Sequence, residues 1–137
     1  MNYEEYKDKY FAKPQPAPKF EYVGLNGTAL FFENYTAALE YYTIVLGPPA
    51  YSEGESTRGW RIGNSWLTLF PSKTGNPKNT EVSFVMKTPA EAERLQRAFI
   101  DAGGTGIHPS DQLMYAPVRM CPVTDPFGTE IIVICWL

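Results

Sequence analysis

The run Gly63-Asn64-Ser65-Trp66-Leu67-Thr68-Leu69-Phe70 has a counterpart near the end of the chain, Gly128-Thr129-Glu130-Ile131-Ile132-Val133-Ile134-Cys135. In both, a glycine turn feeds a strongly apolar strand. The order upstream repeats as well: a strand at 28–32 runs into a helix opening at Asn34, and a strand at 82–86 runs into a helix opening at Thr88. A period of roughly 60 residues is too long for a solenoid, so the pattern predicts one module written twice. Two copies make a pseudo-symmetric pair, and the cleft they share is the place to look for function.

With 137 residues, the chain has the size of one domain and can bury a real core. Its net charge is -3, and the lysines of the first twenty residues alternate with Glu4, Glu5 and Asp8. Nothing forms the basic stripe that tracks a phosphate backbone, so no nucleic-acid partner is expected. No apolar run reaches the roughly 20 residues that cross a bilayer, and the first residues lack the order of a signal peptide. The expectation is a cytoplasmic protein with no membrane partner. Cys121 and Cys135 then read as small core residues rather than a disulfide.

Residues 1–19 read as a proline-rich N-terminal arm. Alternate prolines in Pro14-Gln15-Pro16-Ala17-Pro18 fix φ and remove donors, which favours an extended chain. Tyr3, Tyr6, Tyr10 and Phe11 give this arm the means to dock on the body. The domain proper is expected over 20–137, as modules of about 20–78 and 79–137.

In the first module, Asn34 caps a helix with Ala38, Tyr41, Tyr42 and Val45 on one face, stopped by Gly47-Pro48-Pro49. In the second, Thr88, Pro89 and Glu91 predict a capping box, with Ala92, Leu95, Phe99 and Ala102 as the buried stripe and Gly103-Gly104 as the stop. Strands are expected at 50–52, 58–62, 66–70 and 82–86, and more weakly near 107, at 118–123 and at 131–136. The order is βαβββ followed by βαβββ.

That order, the helix Asn34 through Ala38-Leu39-Glu40-Tyr41-Tyr42 to Leu46-Gly47, and the turn Asp125-Pro126-Phe127-Gly128 before the last strand resemble the vicinal oxygen chelate superfamily. Its members include glyoxalase I, extradiol dioxygenases and bleomycin-resistance proteins. The resemblance spans about residues 22–137 and implies an α+β fold in which two tandem βαβββ modules curl their mixed sheets around a cavity, with helices on the outer faces. It also implies metal ligands on the cavity side, one from the first and one from the last strand of each module.

Laid onto this chain, those four positions fall on Gly27, Leu67, Glu81 and Ile132. The opposite parity, Thr28, Leu30, Phe32, then Trp66, Thr68, Phe70, then Val82, Phe84, Met86, then Ile131, Val133, Cys135, is the set expected beneath the helices. A catalytic divalent site needs about three or four nitrogen, oxygen or thiolate ligands. Glycine, leucine and isoleucine supply none, so no metal and no cofactor are expected. A one-residue slip would bring in Asn26 and Thr80, and still no histidine. The only histidine, His108, sits before Pro109 in a glycine-rich loop.

Glu81 is the sharpest candidate. At the start of an apolar cavity strand beside Ser83 and Val85, it would act as a general base with a raised pKa or pair with a ligand's cation. The alternative is an exposed strand-end glutamate. Arg58, Arg61 and above all Arg119 are candidate anion clamps. Phe31, Trp60, Tyr115 and Trp136 are candidate aromatic walls, with Leu67 and Ile132 completing the lining. There is no phosphate-binding glycine loop, no nucleophile with a histidine base and no Cys/His cluster.

Two functions follow from different classes. One is a metal-free protein whose apolar cavity holds a small organic molecule. The other is a glyoxalase- or dioxygenase-type enzyme, a lyase or oxidoreductase, acting with a metal or through Glu81. Open sheet edges also predict a homodimer.

Overall fold

The computed structural model describes residues 1–137. An N-terminal helix, α1 (Tyr3–Tyr10), precedes a first module of β1 (Gly27–Phe32), α2 (Tyr35–Leu46), β2 (Tyr51–Glu53), β3 (Thr57–Ile62) and β4 (Ser65–Pro71). The second module holds β5 (Glu81–Val85), α3 (Pro89–Asp101), β6 (Thr105–Gly106), β7 (Ser110–Met114), β8 (Ala116–Thr124) and β9 (Glu130–Trp136).

The helices begin where the caps place them. Asn34 accepts from the Ala37 amide and Thr88 accepts from the Glu91 amide, each satisfying an amide that the helix leaves unpaired. The capping box at Thr88 is half made, because the Glu91 carboxylate turns to Arg94 instead, with both contacts at 3.0 Å. α2 buries Ala38, Tyr41 and Tyr42; α3 buries Ala92, Phe99 and Gln96. Gln96 is tolerated because its amide donates to the carbonyls of Ile107 and Pro122, both at 2.8 Å.

Each module forms its own sheet, ordered β1-β4-β3-β2 and β5-β9-β8-β6, with β7 also paired to β8. The first strand of each module runs parallel to the last, and the remaining pairs are antiparallel. β7 was not expected. Its sequence, Ser110-Asp111-Gln112-Leu113-Met114, is poor in strand formers, and its hairpin turns at Tyr115 (φ 65°) rather than at a glycine.

α2 packs on β1 and β4, α3 packs on β8 and β9, and the two helices meet. One core of 17 buried residues runs through both modules. At its centre the Tyr42 hydroxyl donates to Asp125 Oδ2 at 2.7 Å, while Asp125 Oδ1 accepts from the amides of Phe127 and Thr129 at 2.9 and 2.8 Å. Rings close around this bond: Phe32 meets Phe127 with centroids 5.5 Å apart, and Tyr42 meets Phe99 at 6.1 Å.

Three expectations are corrected. The sheets do not close around a cavity; their faces away from the helices stay open. The arm is not extended throughout, since Asn2 and Glu5 form a capping box that starts α1, although residues 12–26 hold no regular structure. The side-chain parity of β4 is inverted: Leu67 and Leu69 are buried at 2% and 0% exposure, whereas Trp66, Thr68 and Phe70 turn to the open face. β4 is apolar on both faces, so its pattern carried no direction. The pairing Leu30 to Leu69 sets it, because Leu30 and Phe32 lie under α2.

Two predictions follow from the core. Tyr42→Phe should cost about 1–3 kcal/mol in chemical denaturation, because it strands one oxygen of a buried carboxylate. Burial first, and the Asp125 charge second, push the Tyr41 phenol up to about 12, and the same causes raise Tyr42 further. Both folded values lie above the ordinary value of about 10, so this contribution is complete below pH ~10 and is lost as pH rises toward 12. The double variant Tyr41→Phe/Tyr42→Phe should flatten that alkaline loss when stability is followed from pH ~9 to 12 by circular dichroism.

No residue of α1 is buried, and its specific ties to the body are two hydrogen bonds to Tyr115: its carbonyl accepts from Tyr3 at 3.1 Å and its amide donates to the Tyr6 hydroxyl at 3.0 Å. Deleting residues 1–19 should therefore leave a folded domain whose near-ultraviolet circular dichroism keeps the bands of its buried aromatic rings, while the far-ultraviolet helix signal falls only by the share of α1.

Candidate functional site

The open face of the second sheet forms a trough of about 610 Å³. Strand alternation builds it. β5 contributes Glu81, Ser83 and Val85; β9 contributes Ile132, Ile134 and Trp136; β8 contributes Val118 and Met120. Gln112, Met114 and Tyr115 of the β7–β8 hairpin complete the wall. Register places these side chains in rows, with Ser83 beside Ile132, Val85 beside Ile134, Met120 beside Ile134 and Val118 beside Trp136.

A smaller space of about 290 Å³ lies where the two sheets meet, lined by Leu25, Gly27, Trp66 and Leu67 from the first module and by Glu81 and Ser83 from the second. The two spaces share Glu81 and Ser83, which makes β5 the wall between them.

Of the residues expected at the site, Glu81, Tyr115, Ile132 and Trp136 come together in the trough. Glu81 is exposed and forms no ion pair or side-chain hydrogen bond. Leu67 lines only the smaller space and is otherwise core, a consequence of the inverted parity of β4.

Phe31 and Arg61 lie on the open face of the first sheet. Phe31 stacks on Phe70 at 5.1 Å, and the Arg61 guanidinium lies 5.0 Å from the Trp66 ring centre. Trp60 is not a wall at all. It is 3% exposed, and its indole donates to the Gly47 carbonyl at 2.8 Å, closing the end of α2 beneath the sheet.

Arg119 is the main correction. It sits between Val118 and Met120, so alternation turns it away from the trough and onto the helix side. There it bonds Asp111, its cross-strand neighbour, and reaches Glu93 of α3 at 3.2 Å. The guanidinium bond holds the Asp111 carboxyl below its usual range. Apolar neighbours in sequence had suggested a shielded cavity position, but in a strand the immediate neighbours point the other way. Arg58 also faces the helix side, bonded to the carbonyls of Gly54 and Thr57 at 2.7 and 2.8 Å. His108 is exposed in its loop.

Sequence reasoning missed Met114, Met120 and Ile134. Parity alone would have found Ile134, two residues beyond Ile132; Met120 required the register of β8 against β9, and Met114 required β7.

No protein-family model matches the chain, and no curated protein matches it in sequence. Solved structures do. It superimposes on a glyoxalase/bleomycin resistance protein from Albidiferax ferrireducens with a TM-score of 0.67 at 14% identity, covering 82% of this chain and 98% of that one. A glyoxalase/bleomycin resistance protein/dioxygenase family enzyme from Burkholderia phytofirmans gives 0.64 at 19% identity over 82% and 98%. A glyoxalase-related enzyme from Fulvimarina pelagi gives 0.63 at 14% over 83% and 88%.

The chain has the vicinal oxygen chelate fold. At these identities the likeness concerns the fold and not the activity.

A vicinal oxygen chelate metal would draw one ligand from β1, β4, β5 and β9, and the residues present do not fit it. At Gly27, a Cβ would lie 1.8 Å from the Trp66 carbonyl oxygen, so no side chain can stand there. The open-face positions of β4 hold Trp66 and Thr68, and that of β9 holds Ile132. Glu81 remains, and nowhere do three or more His, Cys, Asp or Glu gather in a metal-binding group. Zinc, nickel, manganese and ferrous iron should therefore each leave the melting temperature unchanged at tenfold molar excess, measured by differential scanning fluorimetry, and none should survive dialysis at one equivalent.

Proposed function

We propose that this protein binds a small organic molecule with an apolar body in the trough of its second sheet, without a metal. The trough itself carries the reading. Its volume of about 610 Å³ falls in the range of small-molecule sites, and eight of its eleven lining residues are hydrophobic. Met114 and Met120 supply flexible, polarisable walls that adapt to a ligand's shape, and Trp136 and Tyr115 supply ring faces. Structures of similar fold carry glyoxalase and dioxygenase as well as bleomycin resistance in their names, so the choice between binding and catalysis rests on the trough. Catalysis through Glu81 has less support, because no second polar side chain orients the exposed carboxylate.

Burying roughly 200 Å² of apolar ligand surface contributes about 5 kcal/mol by area, before the cost of association. Micromolar to millimolar affinity for simple apolar probes is the expectation. The neutral fluorophore N-phenyl-1-naphthylamine should brighten on binding, and Val85→Trp should weaken it about tenfold or more by filling the trough. Val85 is 55% exposed, so the larger ring does not disturb the core. Unchanged binding in Val85→Trp would move the site elsewhere. Native mass spectrometry of untreated protein reads bound ligand, metal and the proposed homodimer together.

A further inference from the structure

We infer that the ligand of the trough carries a positive charge at one end: it is a lipophilic organic cation, a protonated or quaternary amine on an apolar body. This rests on the binding reading above and adds its charge.

The sign follows from which charged residues alternation places on the open face. On the four strands β5, β9, β8 and β7 of the second sheet, that face carries two charged side chains, Glu81 and Glu130, and the parallel register sets them side by side. Glu130 accepts a long contact of 3.4 Å from the Thr124 hydroxyl and has no cationic partner; Glu81 has none either.

Neither nearby arginine offers its charge to that end of the trough. Arg119 is held on the helix side by Asp111 and Glu93. Arg61 belongs to the first sheet, where it lies over Trp66 and bonds the Gly63 carbonyl at 3.1 Å. Lys78 borders the acidic end from the loop side, outside the trough, without an ion pair to either glutamate.

The two ends of the trough differ. β9 runs from Glu130 to Trp136, a distance of roughly 20 Å at about 3.3 Å per residue, so Glu81 lies at one end of the trough, with Glu130 beside it just beyond the lining, and the Trp136 and Tyr115 rings lie at the other. Between them stand aliphatic and thioether side chains with Ser83 and Gln112 as neutral polar points. An apolar body fits the aliphatic and aromatic stretch while its cationic head meets Glu81 and Glu130. An anionic head would meet two like charges there, against the single cation of Lys78 on the loop side. Because both carboxylates are solvent-exposed, the preference is modest, about three- to tenfold for each change of head-group charge at low salt.

The test displaces N-phenyl-1-naphthylamine with decyltrimethylammonium, decanol and decanoate, all below their aggregation concentrations. The expected order of affinity is cation, alcohol, anion, narrowing in about 0.5 M salt as screening sets in. Glu81→Gln/Glu130→Gln should bring cation and alcohol to equal affinity, whereas Arg119→Met should leave the order intact. If the cation binds no better than the alcohol, or if its preference survives the double glutamine variant, the inference is overturned. Displacement by the alcohol would then still uphold an apolar site. If the fluorophore and all three compounds fail to bind, the binding reading and the inference fall together.

Discussion

The hydrogen bond from Tyr42 to Asp125 is the constraint on which the rest of the molecule turns. Tyr42 belongs to the first module's helix and Asp125 to the turn before the second module's last strand, so one buried contact joins the two repeats. Asp125 is 4% exposed and accepts three donors, one hydroxyl and two amides, and this satisfaction makes a buried carboxylate tolerable. The same bonds shape the turn 125–128, from which β9 departs. β9 in turn pairs with β5 and β8 and supplies three residues of the trough. The position of the site is thus tied to a core contact on the opposite side of the sheet.

Because the helices and their rings fill one side, each sheet shows water its other face, and the two modules use that face differently. The first presents Phe31 on Phe70, with Trp66 between Arg61 and Tyr51. Trp66 also lies over Gly59, where a Cβ would approach the indole to 3.4 Å. Its rings and its arginine are occupied with one another. The second presents aliphatic and thioether groups left unpartnered around an open volume, with Arg119 removed to the far side. The two modules present similarly built faces, and side-chain pairing within the first leaves more uncovered apolar surface on the second.

The repeat, both long helices and most strands were legible because they rest on local signals: caps, glycine stops and apolar runs of the right length. The cap at Asn2 was equally legible, yet the prolines that follow it drew the reading toward an extended arm. β7 was not legible, since its residues acquire strand form from pairing with β8 rather than from their own preference. The site divides along the same line. β5 and β9 have one face marked by polar or exposed residues, so the side of the sheet on which Glu81 and Ile132 lie was legible. β4 is apolar on both faces, so Leu67 was assigned to the wrong one. Trp60 and Arg119 failed for a related reason: whether an aromatic ring or a guanidinium serves a site depends on which side of a strand it leaves, and one residue of register decides that.

Gly27 ties the spacing of β1 and β4 to the absence of a side chain at that position. The β1 backbone approaches Trp66 so closely there, with φ at 152°, that any Cβ would collide with the β4 carbonyl. A side chain at that position would require a shift of the two parallel strands or of the Gly27 backbone. Yet their register places Leu30 and Phe32 beneath α2, in the same core as Tyr42. The close approach at Gly27 and the core that joins the modules therefore share one strand pairing. What the open face of the second sheet presents is apolar surface with Glu81 at one end and Glu130 paired beside it in register.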